Sequence, residues 1–187
     1  MNNIHSRGFS LAELLVLIAI LGALLGIAAP SYRDFVLETR MTEEANEFLA
    51  ALTLARSEAI KRNGTVTVCK SSNGTACTGN WQQGWLVFTD VATGTPPQFG
   101  TFESATDTIL RVHGSLSSGS TLTGKRLNSG DTEIGALDYI TFLPDGRSQL
   151  DAAPKAMLHL CSSGATVDGR SVSVVLGRAQ VTRITTC

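Results

Sequence analysis

One acid, Glu13, sits near the start of an otherwise apolar run from Phe9 to Ala29. A carboxylate at membrane depth costs about 2.5–3.5 kcal/mol on insertion scales, so such a residue is a functional candidate by default. Its chemistry is ionic: it needs a cation brought to it. Four cysteines, Cys69, Cys77, Cys161 and Cys187, are the next reactive set. None forms a C-x-x-C pair, and His5, His113 and His159 are scattered, so a zinc site is not expected and no metal or cofactor is called for. In an exported, anchored domain an even cysteine count reads as two disulfides. Three pairings exist. The favoured one joins Cys69 to Cys77, closing a short loop, and Cys161 to Cys187, tying down a terminal residue that would otherwise fray.

No catalytic set emerges. Ser162 and Ser163 lack the Gly-x-Ser-x-Gly setting of a nucleophile elbow. No glycine-rich phosphate loop stands at a strand–helix junction. His159, inside an apolar stretch, reads as a sheet residue. Trp81 and Trp85 flank Gln82-Gln83-Gly84 and read as core packing beside the Cys69–Cys77 loop rather than as a binding platform. Asn63-Gly64-Thr65 and Asn73-Gly74-Thr75 match the glycosylation sequon, but each holds a strong turn dipeptide, and the turn reading is preferred. An enzyme is not expected. The 187 residues carry a formal net charge of −1, which excludes nucleic-acid binding through an overall basic field.

These residues need elements to place them. From Phe9 to Ala29, Leu, Ile and Ala dominate, and the segment reaches the roughly 20 residues of a spanning helix when Glu13 is included. Gly22-x-x-x-Gly26 fits a small-residue packing face. Past Pro30 the period changes. Met41, Ala45, Phe48, Leu49, Leu52, Ala55 and Ala59 make one apolar stripe, with Glu43, Glu44, Glu47, Arg56, Glu58 and Arg62 on the other faces. Asn63-Gly64 is the stop signal. One helix is therefore expected from about Phe9 to Arg62.

After residue 63 the pattern is β. Expected strands cover 65–69, 84–89, 108–113, 139–142, 156–161, 172–176 and 179–184. Several alternate apolar with polar, as in a sheet with one wet face. Asn73-Gly74, Pro144-Asp145-Gly146, Asp168-Gly169 and Gly177 read as turns, Asp145-Gly146-Arg147 and Asp168-Gly169-Arg170 as hairpin turns in particular. Residues 94–97 and 115–130 read as longer loops, and 98–137 carries little signal.

The polar residues 1–8, then Gly8-Phe9, then Glu13 and the apolar run, resemble the prepilin signal of type IV pilins and type II secretion pseudopilins. Leu54-Ala55-Arg56-Ser57-Glu58-Ala59-Ile60, Trp85-Leu86-Val87-Phe88-Thr89-Asp90 and Ile140-Thr141-Phe142-Leu143-Pro144-Asp145-Gly146-Arg147 narrow this to the GspH/FimT/FimU group. The resemblance implies an α+β, pilin-like fold, a long N-terminal transmembrane and amphipathic helix packed on a C-terminal antiparallel β-sandwich. It implies a leader at 1–8, a membrane half at 9–30, an amphipathic half at 31–63 and a β-rich head at 64–187. It implies cleavage between Gly8 and Phe9 by a prepilin peptidase, N-methylation of Phe9, and a Glu13 that neutralises a neighbour's amine. In a filament it suggests local melting of the helix around Gly22–Pro30.

The implied role is a minor pilin that primes assembly of a type IV pilus in a tip complex. Its partners would be other minor pilins, the major pilin and an inner-membrane assembly platform. The chain would sit in the bacterial inner membrane with its head in the periplasm, then in the pilus. The alternatives are an H-type minor pseudopilin of a type II secretion system and a DNA-binding pilin of natural transformation. DNA-uptake members carry Gly-Arg-x-Arg near the C-terminus. Here Gly177-Arg178 is followed by Gln180 where the second arginine would stand, and Arg183 comes later, on the opposite face of a regular strand. DNA contact through Arg178 and Arg183 is therefore the lesser reading.

Overall fold

In the computed structural model the described residues are 9–92, 98–150, 153–162, 168–185 and 187, with the side chains of residues 28 and 30 outside that description. One helix, α1, runs without a break from Leu11 to Arg62. At 1.5 Å per residue its 52 residues span about 78 Å. Its ends are written in sequence. Ser10 accepts a hydrogen bond from the Glu13 N–H, and the Glu13 carboxylate accepts one from the Ser10 N–H, a capping box. At the other end Asn63 adopts the left-handed conformation, φ 49°, and the Gly64 N–H returns to the Ala59 carbonyl. Glu58 and Arg62 pair at 2.5 Å across one turn.

Ten strands follow among the described residues, in two five-stranded antiparallel sheets. The first sheet has the order β3-β2-β1-β6-β7, from Ile109–His113, Trp85–Thr89, Val66–Lys70, Tyr139–Phe142 and Ser148–Gln149. The second has the order β10-β9-β8-β4-β5, from Arg178–Ile184, Gly169–Val175, Lys155–Ser162, Ser120–Leu127 and Glu133–Ala136. One core joins helix and sheets. From α1 it takes Met41, Ala45, Phe48, Ala51, Leu52, Ala55 and Ala59. Val68, Trp85 and Ile140 enter it from the first sheet, and Leu122, Leu158 and Val172 from the second. Phe48 stands at its centre, edge-on to Trp81 (5.5 Å) and to Trp85 (5.1 Å). Both tryptophans are core residues.

Three expectations need correction. Residues 115–130 are not a long loop, because β4 lies inside them. Ser120-Thr121-Leu122-Thr123-Gly124 is poor in apolar residues, yet the strand pairs with β8 over eight positions, Ser120 to Leu127. Gly124, which reads as loop punctuation, sits there because a Cβ would come within 2.9 Å of the Trp81 indole nitrogen. That indole donates to the Leu137 carbonyl at 2.7 Å. Asp168-Gly169-Arg170 is not a hairpin turn either, since Gly169 and Arg170 open β9 and pair with Ile184 and Arg183. A side chain at 169 would meet the Cys187 sulfur and the Leu160 carbonyl. Finally, the first sheet has no wet face at β1 and β2. Its outer side buries Cys69, Leu86 and Phe88 under Cys77, Phe102 and Tyr139. Residues 94–97, read as a loop, lie outside the described residues.

The outer face of β1 also carries a buried polar network. The Thr67 hydroxyl lies 2.6 Å from both the Asp90 carboxylate and the Thr141 hydroxyl, and the Gly100 N–H donates to the same Asp90 oxygen at 2.8 Å. Burial pushes the Asp90 carboxyl above its ordinary 3.8, against the opposing pull of the Gly100 and Thr67 hydrogen bonds. With a raised native pKa the folded chain holds a proton that the unfolded chain has already released. This group's contribution to stability therefore falls as pH rises through the window above 3.8, and the cost persists at neutral pH. Relative to Asp90→Asn, the unmodified chain should gain stability as pH falls from neutral to about 4. Urea midpoints of the two chains across that range check it; a difference independent of pH would contradict it.

Candidate functional site

The N-terminal half of α1 packs against no other element among the described residues. Phe9 is 74% exposed, and every large apolar side chain from Leu11 to Ile27 is more than half exposed. An apolar surface of this extent marks a membrane or protein interface. Among the described residues α1 is the one helix long and apolar enough to cross a membrane. Burial of each such side chain contributes about 1.5–3 kcal/mol, so lipid or neighbouring helices must cover it. Glu13 stands on this surface, four residues past Phe9. Its carboxylate is bonded to the Ser10 N–H at 3.1 Å and otherwise open. Gly8, the other half of the expected cleavage site, lies outside the described residues.

The C-terminal half of α1 carries the head. Besides the apolar stripe, polar side chains fix it. The Glu44 carboxylate accepts the Ser117 N–H at 2.9 Å, and Glu47 pairs with the His113 ring at 2.9 Å while that ring stacks on Trp85 at 3.8 Å. A clamp that periodicity does not show joins α1 to β9 and β10. Arg170, 9% exposed, reaches Glu38 at 3.4 Å and the Thr42 hydroxyl at 3.0 Å. Arg183 reaches the same Glu38 oxygen at 2.8 Å and Asp168 at 2.5 Å. The one available signal was the i,i+4 spacing of Glu38 and Thr42 on α1, which says nothing about the partner strand.

Both disulfides, Cys69–Cys77 and Cys161–Cys187, are present, and the second holds the last residue against β8. Arg178 and Arg183 are not brought together. Arg178 points away from the face of β10 that carries Ala179 and Val181 toward the core, and Arg183 is held on that face by Glu38 and Asp168. A phosphate at Arg183 would have to displace two carboxylates. His159 is a β8 residue whose pKa is lowered, first by burial and then by Lys125. Among the described residues no three His, Cys, Asp or Glu side chains gather as metal ligands.

A spanning-length apolar helix, continuous with an amphipathic half docked on two antiparallel sheets, defines a pilin-like subunit. The family model described as type II transport protein GspH matches residues 44–179. The chain belongs to this family, which comprises minor pilins and pseudopilins. The crystal structure of the type IV minor pilin FimU from Pseudomonas aeruginosa superposes with a TM-score of 0.56 at 20% identity, covering 82% of this chain and 98% of that one. That likeness establishes a shared fold. In sequence, a fimbrial protein of Pseudomonas aeruginosa is 41% identical over 51 residues, 27% of this chain and 33% of its own length. Fimbrial protein Q of Moraxella bovis is 36% identical over 69 residues, 37% and 43% of the two chains. The matches thus span a third to under half of these relatives.

Proposed function

We propose that the chain is a minor pilin of a type IV pilus that primes filament assembly within a tip complex of minor pilins. The observation that carries this reading is the largely exposed apolar half of α1, continuous with the half that docks the head. Such a helix serves first as a membrane anchor and then as a strut packed among like helices. The fimbrial names of the sequence relatives and the FimU fold support a pilus as the machine. Processing after Gly8 frees the Phe9 amine, and Glu13 receives the amine of an adjacent subunit. Before assembly the head stands in the periplasm and the helix in the inner membrane. The role is structural and calls for no catalytic set.

A second reading, an H-type pseudopilin of a type II secretion system, is favoured by the description of the matching family model. Deletion of the gene separates the two. Loss of surface pili with normal protein secretion is the expected result. Loss of secretion with normal pili would assign the chain to the secretion machine.

A further inference from the structure

Between Glu13 and Arg33 α1 carries no charged residue. Arg33 and Asp34 are the first charges past the apolar run, so a hydrocarbon layer around that run must end at about their level. At the same level the helix presents two large rings. Tyr32 is 69% exposed and Phe35 66%. Three residues apart, they share one face of the helix, and Tyr32 falls in line with the exposed Leu25, seven residues earlier. Every residue from Ser31 to Phe35 is exposed, whereas Val36, Leu37 and Glu38 are half-buried where the head begins.

What covers these rings follows from their chemistry. The Tyr32 hydroxyl makes no hydrogen bond among the described residues. A dry seam against another helix would bury it without a partner. The boundary between acyl chains and headgroups takes the ring on one side and offers water and headgroup oxygens on the other, which is why tyrosine collects there. Arg33 has no ion pair among the described residues. At that level its stem can lie along acyl chains while the guanidinium reaches lipid phosphates. The distances agree. From Glu13 to Tyr32 α1 rises about 29 Å, so a hydrocarbon layer of roughly 30 Å that takes in Glu13 at one edge ends at Tyr32 at the other. From Tyr32 to Glu38, where Arg170 and Arg183 grip α1, is about 9 Å, room for a headgroup layer of about 5–7 Å.

We propose that Tyr32 and Phe35 are the interfacial anchors of α1. They sit at the boundary of acyl chains and headgroups, with Arg33 on the lipid phosphates, and so fix the depth of the helix and seat the head on the headgroup layer. This rests on the membrane-anchored state in the reading above and describes the chain before assembly.

The test uses the full-length chain in phosphatidylcholine vesicles, with Tyr32→Trp as a fluorescent reporter. Trp81 and Trp85 are buried in the head and give a background that lipid does not quench. Lipids brominated next to the headgroup should remove most of the added emission, and lipids brominated at the chain ends little of it. Tryptophan itself favours the interface, so a second reporter, Leu25→Trp, reads depth about 10 Å further into the layer. Adding Tyr32→Ala and Phe35→Ala to it should shift its balance of shallow and deep quenching. Both side chains are exposed, so the head keeps its fold. An unquenched or mainly deep-quenched Tyr32→Trp, or an unchanged balance for Leu25→Trp, would overturn the proposal. So would shallow quenching that disappears as protein is concentrated in the vesicles, which would give the face to a neighbouring helix. Flotation with the vesicles is scored separately. A chain that floats without shallow quenching defeats the anchor assignment and leaves the membrane reading standing; a chain that does not float defeats both.

Discussion

Replacing Glu13 with Ala should leave the chain cleaved and folded but remove most of it from sheared filaments. Two effects of the change can be told apart. The capping box is lost, which costs about 1 kcal/mol of helix stability at an end that is exposed in the isolated chain. The larger effect is ionic. Among the described residues the carboxylate has the Ser10 N–H and no cation, at an insertion cost of about 2.5–3.5 kcal/mol. On the proposed filament role, pairing with a neighbour's protonated amine would relieve that cost only in the filament and so would drive assembly rather than folding. A charge-assisted pair contributes about 1.5–3 kcal/mol, so incorporation should fall roughly tenfold or more. Glu13→Gln sharpens the test, because glutamine still closes a capping box but carries no charge. It should fail like Glu13→Ala. Immunoblots of sheared-filament and membrane fractions give the readout, and unchanged recovery of either variant in filaments would defeat the role given to Glu13.

Phe48→Ala should be the most damaging single change to the head. Phe48 is 1% exposed and stands edge-on to both tryptophans, where α1 meets the two sheets. Truncating a buried phenylalanine costs about 3–5 kcal/mol, a large share of the 5–15 kcal/mol that hold a typical domain together. The helix itself has local hydrogen bonds and stays helical; what is lost is its hold on the head. Urea unfolding of the full-length chain, followed by tryptophan fluorescence, should show the midpoint fall steeply. Ile60→Ala, at a position 51% exposed on the same helix, should shift it far less. Comparable shifts for the two would mean that Phe48 is not the anchor.

Much of this was legible in the sequence because it is periodic. The stripe from Met41 to Ala59 follows the helical repeat and is buried, except for Leu49, which is half-buried; Ala51 joins it, and so does Glu44, which was expected on another face because of its charge although its spacing from Met41 and Phe48 puts it on the stripe. The C-cap at Asn63 and seven of the strands follow from local residue types, whereas the Ser10–Glu13 capping box was not read from the sequence. What escaped has tertiary causes. β4 is a strand because β8 and β5 pair with it on either side, although its own residues are mostly polar. Gly124 and Gly169 are strand residues, and they are glycine because a tryptophan and a disulfide approach them too closely for a side chain. Thr67 alternates with valines as a wet-face residue should, yet it is buried with Asp90 and Thr141. The Glu38 clamp joins residues more than a hundred positions apart, a separation at which spacing carries no information. At the N-terminal surface the reverse holds. Glu13 and the apolar run are read from sequence alone, because the described residues offer them no tertiary partner.

The most direct measurement is the intact mass, with N-terminal fragment mapping, of the chain recovered from sheared pili. A chain that begins at Phe9, carries one added methyl group and lacks four cysteine hydrogens is the expected result, since Cys69–Cys77 and Cys161–Cys187 are both closed. A chain found only in the membrane fraction, still beginning at Met1 or cut after Ala29, would contradict the filament role and leave an anchored β domain.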